Sequence, residues 1–428
     1  MYFIHIMENK SYQRRLNLIR QHISSNKCLN RGTVPPVSDD DVVIVDCIRT
    51  ALTKSGRGLL KDTMPEAMLA GLFEGLVHRN KLDPKHVGDI VIGNCLQAGS
   101  GMMTSRMGQF LAKFPETTNL MSVNRLCSSG LQAVMNVAYS IAGRQIDIGI
   151  GGGVESMSLY NMNGTIDPEK ISEAIFECEP ARNCMIPMGI TSENVAEKFQ
   201  VDRKTQDSFA YESQRKAAAA QKSGLFKEEI WPINTRVKDQ KGEWKNVTVT
   251  QDEGIRETTL ESLGKLKPAF KKDGTTTAGN SSQTTDGAAV VLLARRSAAK
   301  KLGLNILGRI VSYAVSGVPP EIMGIGPAFA IPDALKLAGL TVNDIDIYEI
   351  NEAFASQATY CANKLNIPAE RINPKGGAIA LGHPLGCTGA RQFSTLLTEM
   401  RRTKKRLGVI SMCIGTGMGA AVVVEREN

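Results

Sequence analysis

The chain has 428 residues and nine cysteines, yet no Cys-x-x-Cys pair occurs among them, and an odd number cannot close completely into bridges. Neither a zinc ribbon nor a disulfide framework is expected, and a reducing intracellular compartment is the default. Long apolar runs are also missing. An uncharged stretch as long as any in the chain, residues 407–424, is broken by Gly408, Gly415, Gly417 and Gly419 and reads as a buried strand and turn, not as a membrane span. The first residues lack an apolar core followed by small residues, so no secretory leader is expected. Nor is there a basic patch on the body. Of the net charge of +8, residues 1–33 supply +5 (Lys10, Arg14, Arg15, Arg20, Lys27 and Arg31 against Glu8), leaving +3 for the rest. A nucleic-acid footprint belongs on a folded domain, so that partner class loses its support.

What is present suits a soluble globular protein: 42% hydrophobic and 22% charged residues, in a chain long enough for two or three domains. Forty glycines exceed the usual share of about 7% and point to close backbone approaches. Residues 41–46, 87–92, 147–150, 287–295 and 408–410 read as strands. Leu131, Val134, Val137, Ala138 and Ile141 recur at helical spacing after Cys127, and Gly143 closes that helix. This alternation implies a layered α/β fold with buried sheets. A Gly-containing loop feeding a helix, a strand and a Gly-rich turn occurs early and again late, which suggests two similar α/β halves. The stretch 156–280, with both tryptophans and polar helices such as 201–223, reads as an inserted loop domain over the sheets. The expected division is a leader and exposed linker (1–37), a first half (38–155, completed by 281–305), the insert (156–280) and a second half (306–428). In the leader, Leu16, Ile19 and Ile23 share a helix face flanked by arginines. The Arg15-Leu16 and His22-Ile23 pairs, five residues apart, resemble an N-terminal peroxisomal targeting signal; a mitochondrial leader is the alternative reading, and cleavage near Cys28 is open.

Four segments carry chemistry. Cys127, in Asn-Arg-Leu-Cys-Ser-Ser-Gly, opens a helix, where unpaired N–H groups and the helix dipole favour thiolate. Asn351 and Glu352 follow a strand-like run, where polar groups emerge at a sheet edge. His383, alone of the five histidines, sits among glycines that let a loop approach a substrate, and imidazole is the natural base near neutrality. Cys413 stands at a strand end beside the turn Gly415-Thr416-Gly417, whose N–H groups could hold an oxyanion.

Two thiols, one His and one Asn in this order resemble the thiolase family across residues 38–428. Supporting segments are Met188-Gly189-Ile190-Thr191-Ser192-Glu193-Asn194, Lys267-Pro268-Ala269-Phe270 and Thr277-Ala278-Gly279-Asn280-Ser281-Ser282. The resemblance implies a thiolase-like layered fold and an acyltransferase that cleaves 3-oxoacyl-CoA with CoA through an acyl-cysteine. It implies Cys127 as nucleophile, His383 as its base, Cys413 as the acid that protonates the released enolate, and His383 with a water held by Asn351 as holders of the thioester oxygen. Gly415 and Cys127 would form the second oxyanion hole through their backbone N–H groups. Arg256, Ser262 and Ser282 are the implied CoA contacts. No metal or redox cofactor is implied, CoA being a substrate, and a homodimer and a peroxisomal import receptor are the implied partners. Pro187, where some short-chain biosynthetic relatives carry His, leans towards degradation of longer chains. The competing readings are a decarboxylating ketoacyl synthase, which usually pairs its Cys with two His, and a lipid-binding protein on a thiolase-like body.

Overall fold

The computed structural model describes residues 34–162 and 170–427. The leader pairs Arg15-Leu16 and His22-Ile23 and the region near Cys28 lie outside the described residues. The segment read as a free linker is held at its end. Val34 packs against a core cluster, and the carbonyls of Pro35 and Pro36 accept from the Arg309 guanidinium.

Ten strands form one mixed sheet built from two half-sheets. The first half contains β1 (Val42–Arg49), the short β2 (Thr53–Lys54), β3 (Asp89–Gly93), β4 (Asn119–Val123) and β5 (Ile148–Ser156). After an insert that carries the separate hairpin β6 (Ile233–Lys238) and β7 (Trp244–Val249), β8 (Thr285–Arg295) completes it. The order is β4-β3-β5-β8-β1, with β3 parallel to β4 and β5, and β8 antiparallel to β5 and β1. The second half comprises β9 (Gly308–Gly317), β10 (Ile347–Ile350), β11 (Leu407–Ile414) and β12 (Met418–Arg426), in the order β10-β11-β12-β9. There β10 is parallel to β11, and β12 is antiparallel to β11 and β9. A parallel bridge from Tyr348 to Ile372 gives β10 the outer neighbour that β4 gives β3. Both halves therefore repeat one order, and their sheets pair through Val43 with Arg309 and Ile44 with Gly308.

The sequence explains the layering. All eleven residues of β8 are buried, and so are all but Val42 of β1, as expected of strands covered on both faces. Their covers are α1 (Pro65–Asn80), which packs on β1 and β8, and α2 (Met102–Leu111), which packs on α1. On the inner side lies α3 (Ser129–Ala142), with Leu131, Val134, Val137 and Ile141 fully buried. Two helices of the insert, α4 (Met188–Lys198) and α5 (Arg203–Lys222), pack against α7 (Ala355–Lys364), while α6 (Pro327–Ala338) covers β9 and β12. The helix α8 (Leu385–Thr403) is buried on nearly every side. It packs on α3 and touches β5 and β8 of one half and β10 and β11 of the other. Helices and half-sheets thus alternate, with α3 and α8 as the central layer.

A buried charge cluster ties the parts together. Arg49, at the end of β1, donates from Nε and Nη2 to Glu229 Oε1 at 2.9 and 2.7 Å, and from Nη1 and Nη2 to Asp252 at 2.7 and 2.8 Å. Lys375 Nζ, from the second half, donates to Glu229 Oε2 at 2.9 Å. Two cations and two carboxylates balance, and the pairs are fully or almost fully buried. Burial alone would raise the Glu229 carboxyl, but Lys375 and Arg49 hold it down at about 2. Removing one member strands its partners without water. Glu229→Gln is expected to cost about 3–5 kcal/mol in urea unfolding at pH 7. The Glu229 contribution is present above the unfolded pKa near 4.5 and disappears as the pH falls towards 2, so wild type and variant should converge in acid.

Candidate active site

The Cys127 loop is held in an unfavourable backbone conformation. Leu126, immediately before the thiol, has φ of 48°, which costs a branched residue about 1–2 kcal/mol. Its N–H donates to Asn124 Oδ1 at 2.8 Å, and its carbonyl accepts from Cys95 Sγ at 2.8 Å and Ser129 Oγ at 2.6 Å. These bonds fix the peptide that presents Cys127 two residues before α3 begins. The facing turn repeats the device: Thr416, between Gly415 and Gly417, has φ of 68°.

The two turns meet at the sulfur. The backbone N–H groups of Gly415 and of Cys127 itself lie close enough to Cys127 Sγ to favour its charged form. The residue is half-buried, but protein atoms crowd the sulfur, and desolvation pushes the thiol up to about 11 against those two donors. The pull towards thiolate expected at the helix N-terminus is outweighed here, because the cost of burying the charge exceeds what a short-range dipole and two N–H groups return. Cys413, on β11, is buried and lies within electrostatic range of Cys127; burial raises it first, and Cys127 and Cys361 add to that. Its Sγ donates to Gln357 Oε1 on α7 at 3.5 Å.

His383 lies in the turn before α8, its N–H bonded to the Gln283 carbonyl at 3.0 Å. Gly382 has φ of 109°, and a Cβ there would strike the Thr285 side chain, so only glycine fits. His383 Nδ1 lies 2.6 Å from Thr388 Oγ1, and Asn351 Nδ2 donates to Nε2 at 3.3 Å. An amide NH2 can only donate, so this pattern assigns the ring proton to Nδ1 and the lone pair to Nε2. Burial, with Arg391 adding to it, pushes the imidazole down to about 3, so it is neutral and able to accept. Asn351 is itself fixed by its N–H to the Ser411 carbonyl at 2.9 Å, and its buried Oδ1 has no partner among the described residues. Glu352 is buried, not solvated; it accepts from Ser213 Oγ, Asn373 Nδ2 and the Ile379 N–H, tying the insert to the histidine turn.

The three implied CoA contacts are placed unequally. Ser282 is beside the site, its N–H bonded to the Ala353 carbonyl at 2.9 Å. Arg256 follows Gly254, whose carbonyl is held by Gln283 Nε2; burial lowers the guanidinium, and Arg57 adds to that. Ser262 is exposed at the start of a short helix, bonded to Thr259, and its hydrogen bonds reach none of the four reactive residues. Sequence reading missed Thr388, Gln357, Cys95 and Arg57. Only Thr388 left a trace, a hydroxyl five residues beyond His383 in the same Gly-rich segment. Among the described residues no group of three or more His, Cys, Asp and Glu is placed to hold a metal ion, and no helix is long and apolar enough to cross a membrane.

With this geometry in place, comparison with known proteins decides the family. Residues 42–297 match the Thiolase, N-terminal domain, and residues 304–426 match the Thiolase, C-terminal domain. The chain belongs to the thiolase family. It is 60% identical over 396 residues to the peroxisomal 3-ketoacyl-CoA thiolase A of Rattus norvegicus, covering 92% of this chain and 91% of the relative. The peroxisomal 3-ketoacyl-CoA thiolase of Homo sapiens is 59% identical over 393 residues, covering 91% and 92% respectively. The structure of the dimeric peroxisomal thiolase of Saccharomyces cerevisiae matches with a TM-score of 0.84 and 47% identity, over 92% of this chain and 99% of that one.

Within this thiolase site, the neutral imidazole and thiol have measurable consequences. Iodoacetamide labelling of Cys127 should still be rising at pH 9, since its thiol is pushed up to about 11. His383 has a folded pKa below its ordinary 6.5, so the unfolded chain binds the extra proton and stability falls as the pH drops from 6.5 towards 3. His383→Asn should lose less of its urea midpoint than wild type between pH 7 and pH 4.5.

Proposed function

We propose that this thiolase cleaves 3-oxoacyl-CoA with CoA, giving acetyl-CoA and an acyl-CoA shortened by two carbons, as the thiolytic step of peroxisomal fatty acid β-oxidation. The extended identity with peroxisomal 3-ketoacyl-CoA thiolases supports the substrate class and the compartment. The observation that carries the chemistry is the pair of N–H groups, Gly415 and Cys127, converging on Cys127 Sγ. Donors that lie beside the resting sulfur stand next to the carbon it attacks, where a tetrahedral oxyanion forms.

In this reading, His383 Nε2 takes the Cys127 proton as Sγ attacks the 3-keto carbon, and the Gly415 and Cys127 N–H groups hold the resulting oxyanion. Collapse breaks the C2–C3 bond, leaving the acyl group on Cys127 and acetyl-CoA as an enolate. Asn351 Nδ2 and His383 Nε2, 3.3 Å apart, form the edge that would face the enolate oxygen, and Cys413 delivers a proton to C2. Incoming CoA gives its thiol proton to Cys413 and displaces the acyl group, while His383 returns its proton to Cys127. CoA acts as a substrate and no step calls for a metal or redox group. Arg256 and Ser282 suit the phosphates and the pantetheine arm of CoA; Ser262 suits only the outer end of such a long molecule.

The homodimer reading rests on one face. Strand β4 ends the sheet with Met121 exposed, and the adjoining α2 exposes Met103, Met107, Phe110 and Leu111. An apolar patch beside an open sheet edge is a surface that a second copy would cover. The import receptor of the leader reading is proposed on the sequence alone.

Cys127→Ala should abolish the acyl-enzyme and lower thiolysis about 10⁴-fold or more. A labelled acyl adduct that survives this change would exclude Cys127 as nucleophile. Cys413→Ala should block proton exchange at C2 of acetyl-CoA, and Asn351→Ala should lower kcat about 10²–10³-fold. Replacing Met107 and Phe110 together by Glu should shift light scattering to the monomer mass; an unchanged dimer would place the interface elsewhere.

A further inference from the structure

Glu155, near the end of β5, is fully buried and makes no ion pair among the described residues. Instead it gathers four N–H donors. Oε1 accepts from Asn94 Nδ2 at 3.1 Å and from the Leu96 N–H at 3.1 Å; Oε2 accepts from the Cys95 N–H at 3.0 Å and the Gly386 N–H at 3.0 Å. Three of these donors belong to the loop after β3 in the first half. The fourth is the second residue of α8 in the second half, three positions after His383. Burial raises the Glu155 carboxyl and the Gly386, Cys95 and Leu96 N–H groups oppose that; the ionised form is the one that accepts from all four donors and brings no proton of its own.

Each end of this bridge leads to a reacting group. On one side, Cys95 passes its fixed position on through Sγ to the carbonyl of Leu126, the peptide that presents Cys127. On the other, Gly386 fixes the start of α8, whose Thr388 orients His383 through Nδ1. The contact at Gly386 admits no side chain: a Cβ there would lie 2.8 Å from Asn94 Cα and 2.9 Å from the Gly93 carbonyl. The two loops come from opposite halves, whose sheets pair at only two positions.

We infer that Glu155 is a positioning residue, one carboxylate that sets the nucleophile's loop in register with the histidine's turn. The inference rests on the proposed roles of Cys127 and His383. It adds that the distance between nucleophile and base is fixed by a charged group that never touches substrate. The charge has a second effect, since Glu155 lies close enough to raise the Cys127 thiol. The other titratable groups around this pair are Cys95, which faces both Glu155 and Cys127, Cys413, which faces Cys127, and Cys387, which faces Glu155.

Two variants of the full-length enzyme separate reach from charge. Glu155→Gln removes the charge and turns an NH2 towards donors; Glu155→Asp keeps the charge but withdraws it by one methylene. Both are expected to lower kcat about 10- to 100-fold, the usual effect of displacing a reacting group by about 1 Å, with KM for CoA changed less than about twofold. The pH midpoint for iodoacetamide labelling of Cys127 should move down in Glu155→Gln and stay in place in Glu155→Asp. A purely structural role would not divide the variants in this way. A folded variant with kcat within threefold of wild type, a KM that rises in proportion to the loss, or an unmoved labelling midpoint in Glu155→Gln would each overturn the assignment. Should Glu155→Gln give no cooperative melting transition, kcat and KM of Glu155→Asp decide alone by the same limits. Failure of the wild-type enzyme to form an acyl adduct at Cys127 would sink the proposed function instead, so the two failures are distinct.

Discussion

Desolvation sets the terms at the centre of this molecule. Cys127, Cys413 and His383 come from three segments, and in all three burial favours the uncharged form. The site stores no thiolate and no imidazolium in advance. In the proposed reaction, charge arises at these groups when substrate arrives, and it would be met by fixed dipoles: the N–H groups of Gly415 and Cys127 and the Asn351 amide. Fixed dipoles in a dry site need no reorganisation when charge develops, which is where they are most effective.

A site of this kind demands rigid walls, and the architecture supplies them by repetition. The halves share one strand order, and α8 runs between them in contact with both half-sheets. One link between the parts is a balanced set of buried charges. Arg49, Glu229, Asp252 and Lys375 join β1, the insert and the second half. Breaking such a set is costly, even though forming it gains little, so these clusters act on alignment more than on total stability.

Much of this was legible in the chain itself. The strands with apolar runs announced themselves, and Cys127, Asn351, His383 and Cys413 stood out because glycines or strand ends surround them. The residues that orient them did not. Thr388, Gln357 and Cys95 are ordinary side chains at unremarkable positions, and only the fold makes them neighbours. The hairpin β6–β7 was hidden in a charged stretch, because Ile233 and Val237 point inward while the residues between them face solvent or its margin. Leu126 gave no sign of its left-handed backbone, since leucine is not a residue that prefers it. The helix N-terminus at Cys127 was visible, but its electrostatic effect was outweighed by a burial that no local pattern reveals.

The hairpin of β11 and β12 carries both the proposed acid and a proposed oxyanion donor, Cys413 and Gly415, and its ladder pairs Cys413 with Gly419. Along β11 the neighbours Met412 and Ile414 point into the main core, whereas Cys413 faces Met323, Ala353 and Phe354. Side chains on a strand alternate, so parity governs which atom enters the reaction chamber. A slip by a single rung would bring a thioether into the chamber and send the proton donor into hydrocarbon. The pleat of one strand is thus a safeguard on the chemistry, enforced by every apolar neighbour that would otherwise be turned outward.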